Sequence, residues 1–98
     1  MNRREHLLTI LAEECAEVAQ MVSKSLRFGL QEVRAGQSLT NEQRLRHEIL
    51  DLMAVHEMLI QEGTFSTISS DAVSKAIQTK KERVEKYLLH SKACGTLD

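Results

Sequence analysis

The chain has no proline in 98 residues, and its only four glycines stand at positions 29, 36, 63 and 95. At average usage about five prolines and seven glycines would be expected in this length. Proline removes an amide donor and clashes with the preceding turn, so its absence leaves long stretches free to be helical. All four glycines fall between or after apolar-periodic stretches and divide the chain into three long helical segments. The length allows a single small domain, residues 1–98.

The first segment runs from Asn2, a suitable cap, to Arg27. Its residues Leu7, Leu8, Leu11, Cys15, Val18, Ala19, Val22 and Leu26 follow helical spacing. Gly29 offers a left-handed exit. Residues 30–39 read as a loop or a short helix. Thr40 and Gln43 then have the form of a capping box, opening a second segment that ends near Glu62. Its inward side is expected to carry Leu45, Ile49, Leu52, Met53, Leu59 and Ile60. Residues 64–69 alternate weakly, but one strand has nothing to pair with, so a connector is expected. A third segment runs from Ser70-Asp71 to about Ser91, with Ala72, Val73, Ala76, Ile77, Val84 and Leu88 inward. The fold class is therefore all-α, a small bundle of three to four helices. A core this thin gains stability by burying apolar faces against a second copy, so a homo-oligomer is expected.

Charge and composition exclude several partners. Thirteen Lys and Arg against fourteen Asp and Glu give a net charge of −1, which provides no overall basic field for nucleic acid. Three aromatic residues leave few platforms for stacking bases. No apolar run approaches the ~20 residues that span a bilayer, and the start lacks the apolar stretch of a signal peptide. Two cysteines make no disulfide framework. Cys15, within an apolar helical pattern, reads as a small buried hydrophobe suited to a reducing cytoplasm.

The informative feature lies in where the carboxylates fall around each helix, at about 100° per residue. With Leu7 at zero, the apolar arc of the first segment runs from roughly −60° to 120°; Glu14 falls inside it at roughly −20°. Glu17 lies just past its edge at roughly −80°, and Glu13 points farther toward solvent at roughly −120°. With Leu45 at zero in the second segment, Glu48 falls at roughly −60° and Asp51 at roughly −120°. Each helix thus presents an acidic i, i+3 pair on one face, with one member inside the apolar arc. Burying an unpaired carboxylate is expensive, and like charges side by side add to the cost. Something positive must sit between the helices. Arginine or lysine would serve, but four carboxylates suit Mg²⁺ better, a hard cation that often shares its shell with substrate phosphates.

Glu13-Glu14-Cys15-Ala16-Glu17 followed by Glu48-Ile49-Leu50-Asp51 resembles the Glu-Glu-x-x-Glu … Glu-x-x-Asp signature of the MazG-like all-α nucleoside triphosphate pyrophosphohydrolases. The surrounding sequence, Leu11 to Gln20 and Ser23 to Gly29, is also similar, and the likeness spans about residues 5–90. It is nearest to the short, single-module phage and bacterial members. The resemblance implies a helical bundle working as a homodimer or homotetramer. It implies Mg²⁺-dependent cleavage of a nucleoside triphosphate between its α and β phosphates, with Mn²⁺ as a substitute ion. The metal ligands it implies are Glu14, Glu17, Glu48 and Asp51, with Glu13 orienting water. Phosphoribosyl-ATP pyrophosphohydrolase shares this chemistry and is the alternative enzyme; a catalytically silent helical interaction module is the alternative outside the enzymes.

A triphosphate calls for cations. Lys24 and Arg27 lie two to three turns beyond Glu17 and resemble basic residues near that helix end in short relatives. In the third segment Lys80 is the candidate, although larger relatives carry Asn-x-Lys where this chain has Gln78-Thr79-Lys80. His56 falls inside the apolar arc of the second segment and reads as a buried or interface histidine rather than a base. His47-Glu48-x-x-Asp51 lacks the second histidine of a zinc protease motif, and no P-loop or dinucleotide-binding fingerprint occurs.

Overall fold

Asn2 caps the first helix. Its side chain accepts the Glu5 amide at 2.9 Å while the Glu5 carboxylate accepts the Asn2 amide at 2.9 Å, a closed capping box. From this cap a computed structural model, which describes residues 1–98, runs into helix α1 (Arg3–Phe28). Two more helices follow, α2 (Asn41–Gln61) and α3 (Ser70–Ala93), and there is no strand. The all-helical expectation is met. Thr40 and Gln43 form the capping box expected of them, and Ser69 caps α3 through the Ala72 amide. The chain falls into two compact units, residues 1–66 and 67–98.

In the first unit α1 and α2 form an antiparallel hairpin. Leu7, near the start of α1, packs with Val55 and Leu59, near the end of α2, and Leu11 and Phe65 close over them. Leu59 has no exposed surface. Toward the other end Met21 and Ser25 are buried, the Ser25 hydroxyl donating to the Met21 carbonyl at 2.7 Å. Arg3 and Glu62 form an ion pair at the mouth of the hairpin.

Residues 29–40 are a loop, not a short helix, and it is tied back onto α2. Gly29 leaves α1 with φ 98° and ψ 145°, so the chain exits extended rather than left-handed helical. A turn over Arg34–Gln37 needs the positive φ of Gly36, 82°. The Asn41 and Glu42 amides, two of the donors a helix start leaves free, donate to the Glu32 and Leu30 carbonyls at 3.0 and 2.9 Å. Thr40 accepts the next two, Gln43 through its side chain and Arg44 through its carbonyl. Asn41 itself is 1% exposed and donates its side-chain amide to the Gly29 carbonyl at 2.9 Å.

Several apolar residues expected inside are not. Leu8, Val22, Leu26, Ile49 and Met53 are exposed, and so is Cys15. A hairpin covers one strip of each helix, whereas these residues spread over a wider arc than one neighbour can reach. His56 is exposed as well, against the buried reading; its ring lies tilted on Phe65 with centroids 5.8 Å apart. α3 has the expected apolar stripe, but it buries no residue, including Ala72, Val73, Ala76, Ile77, Val84 and Leu88. Residues 67–98 contain no second element for that stripe to pack on.

Candidate metal centre

Midway along the hairpin the two helices bring carboxylates together. One oxygen from each of Glu14, Glu17 and Glu48 lies within 4.8 Å of the others. Glu14 and Glu17 are one turn apart on α1, and Glu48 faces them from α2. Asp51 is exposed and stands outside this trio, yet its negative charge raises the pKa of both Glu14 and Glu48. Glu13 is exposed and acts on Glu14 only through its charge.

The trio is electrostatically unfavourable as it stands. Burial pushes the Glu14 carboxyl above its ordinary value, and the charges of Glu17, Asp51 and Glu13 push the same way. Glu48 is raised first by burial, then by a hydrogen bond to Glu17, then by the charges of Glu17, Asp51 and Glu14. One oxygen of Glu14 and one of Glu48 are shut off from solvent and accept no hydrogen bond. No lysine or arginine pairs with either, the single ion pair of the structure being Arg3–Glu62. The residues do fit a hard divalent cation: they are all carboxylates, come from two rigid helices, and include two oxygens that still need a partner.

The candidate phosphate-binding residues divide. Lys24 is half-buried and lines a cleft of about 350 Å³ with Phe28, Glu32, Val33, Arg34 and Arg44 among its walls. Arg27 is exposed and stacks on the Phe28 ring, 4.8 Å from its centroid, outside that cleft. Lys80 is exposed on α3, in the second unit. Arg34 and Arg44 escape a reading of the sequence. Arg44 had a signal, since it precedes Glu48 by four residues and so lies about 40° from it on the same helix face. Arg34 had none, because its place depends on the path of the loop.

Comparison of the chain with protein-family models, with curated proteins and with solved structures gives no match.

Proposed function

We propose that this chain is a divalent-cation-dependent nucleotide pyrophosphohydrolase of the MazG-like type, cleaving a nucleoside triphosphate to a monophosphate and pyrophosphate. The observation that carries the reading is the convergence of Glu14, Glu17 and Glu48, with an oxygen of Glu14 and one of Glu48 buried and unpartnered. A helix surface that bears acidic pairs for solubility leaves them in water; here two are drawn inward. The motif resemblance supplies the reaction, and the carboxylate set supplies the ion.

Glu14, Glu17 and Glu48 would hold Mg²⁺, or Mn²⁺ in its place, with Asp51 completing the acidic set from the next turn of α2. Mg²⁺ held there supplies neutralisation of phosphate oxygens and acidification of water. The helices fix the carboxylates before substrate arrives, so little reorganisation accompanies the reaction. Glu13, at the solvent edge, would orient the attacking water and take up its proton. As the water oxygen bonds to the α-phosphorus, the bond to the bridging oxygen breaks and its electron pair leaves with pyrophosphate.

The exposed apolar residues support a homodimer or homotetramer. Leu50, Met53 and Ile60 line one groove of α2 together with His56 and Glu57. The interaction-module reading draws on the same surface, and the phosphoribosyl-ATP reading draws on the same carboxylates. No helix is long and apolar enough to cross a membrane, which accords with a cytoplasmic enzyme. Pyrophosphate release from a panel of nucleotides, with and without Mg²⁺, tests the function. Release should require the ion and fall by about 10²-fold or more in Glu48→Gln and Glu14→Gln. Undiminished release in both variants removes the carboxylates from the reaction, and no release from any nucleotide favours the interaction module.

A further inference from the structure

The end of α3 carries a histidine and a cysteine that the acidic centre does not involve. His90 and Cys94 stand four residues apart, so both lie on one face of the helix. The Cys94 sulfur is 3.6 Å from His90 Nε2, and both residues are exposed. The main chain beneath them is held at three points. The Cys94 amide donates to the His90 carbonyl at 2.9 Å, and the Gly95 amide to the Lys92 carbonyl at 3.1 Å. Gly95 turns back with φ 82°, and the Thr96 amide then donates to the Ser91 carbonyl at 3.0 Å. The backbone thus sets the imidazole and the thiol side by side before any ligand arrives.

A hydrogen bond between thiol and imidazole accounts for that separation, and so does a shared metal ion. Tetrahedral Zn²⁺ holds sulfur at about 2.3 Å and nitrogen at about 2.0–2.1 Å, which puts the two ligand atoms about 3.6 Å apart. The pair therefore already has the bite of a zinc chelate. Its donors also sort the ions, because thiolate and imidazole select Zn²⁺ whereas Mg²⁺ takes oxygen. The C-terminal end of a helix favours positive charge. Lys92, the lysine of this turn, is two residues from each ligand and so about 160° around the helix. Cys15 gives the contrast: it is exposed too, but Leu11, Ala12, Val18 and Ala19 surround it at helical spacing, and none is a ligand. We propose that His90 and Cys94 form a chelating site for Zn²⁺. As the Cys94 sulfur bonds the ion its proton leaves to solvent, and His90 bonds through Nε2 with its own proton on Nδ1. No third His, Cys, Asp or Glu joins the pair, so water fills the remaining positions. The bound ion staples the last turn of α3.

Co²⁺ is the probe, since it enters Zn²⁺ sites and its bond to a thiolate gives a near-ultraviolet charge-transfer band that carboxylates do not give. Titrated into the full chain, kept reduced with a phosphine, Co²⁺ should develop this band and Zn²⁺ should then abolish it by displacement. Cys15→Ser and Glu48→Gln should keep the band, and Cys94→Ser should lose it. His90→Gln should weaken Co²⁺ binding at least about tenfold, because removing even a group behind a metal ligand costs about 10–100-fold. Both side chains are exposed, so circular dichroism of the metal-free variants should match that of the wild type. Zn²⁺ should also protect Cys94, and not Cys15, from alkylation read by mass spectrometry. No band in the wild type, a band that persists in Cys94→Ser, or undiminished binding by His90→Gln overturns the site. None of these readouts depends on turnover of a nucleotide.

Discussion

Glu48 concentrates the chemistry of the hairpin in one side chain. Its carboxyl is raised above the ordinary value, so the folded protein holds a proton there that the unfolded chain releases. Stability from that proton is fully present below the unfolded value of 4.5 and is lost as pH rises through the higher folded one. Glutamine imitates the protonated acid. In EDTA at pH 7.5, Glu48→Gln should therefore melt at a higher temperature than the wild type, with the gap closing as pH falls toward 4.5. Saturating Mg²⁺ should reverse the order at pH 7.5, because the wild type, with its full set of carboxylates, gains more from the ion. Thermal melts of both proteins across this range decide it; a variant less stable than the wild type in EDTA at every pH would show that Glu48 stabilises the fold by another route. The position of Glu48 was legible beforehand, because a carboxylate inside an apolar arc conflicts with its surroundings. Arg44 was not, since a basic residue four places from an acid reads as an ordinary solvated helix pair.

At the scale of the element, the start of α2 is the best-secured helix end in the chain. Four consecutive amides, from Asn41 to Arg44, find acceptors in the loop or in Thr40, which also anchors the capping box with Gln43. Thr40→Ala removes the side-chain acceptor and should cost about 1 kcal/mol. For a domain of this size that corresponds to a fall of roughly 4–8 °C in melting temperature, measurable by calorimetry. An unchanged melting temperature would mean that the backbone ties alone hold this end. Caps were the most readable local feature, since Asn2 and Thr40 announce themselves by residue type and spacing. The loop between α1 and α2 was not readable in the same way. Its course is set by the Glu32 and Leu30 carbonyls reaching the amides of α2, and carbonyls carry no residue-specific signal.

For the whole molecule, periodicity told which side of each helix is apolar but not how much of it one chain covers. Leu7, Val55 and Leu59 lie on those sides and are buried; Val22, Leu26 and Ile49 lie on them too and are exposed. On α3, Ile77, Val84 and Leu88 are likewise exposed, at 52%, 42% and 41%. These uncovered apolar residues are the surface that a second copy would cover in the proposed homo-oligomer. Light scattering coupled to gel filtration should give a mass of two or four chains, against 11.1 kDa for one. Met53→Lys, at the groove of α2, should shift the mass toward the monomer, and a monomeric wild type would remove the homo-oligomer from the proposal.

The trio of carboxylates also divides the hairpin mechanically. Grease holds it at either end, through Leu59 and its neighbours on one side and Met21 on the other, while the middle is a seam of mutual repulsion. Helical pairs ordinarily loosen from their tips. Stripped of cations, this one would instead bow at the waist and keep both ends clasped. An ion bound there, as proposed, would act as a rivet, and its arrival would stiffen this face of the hairpin without any change of fold.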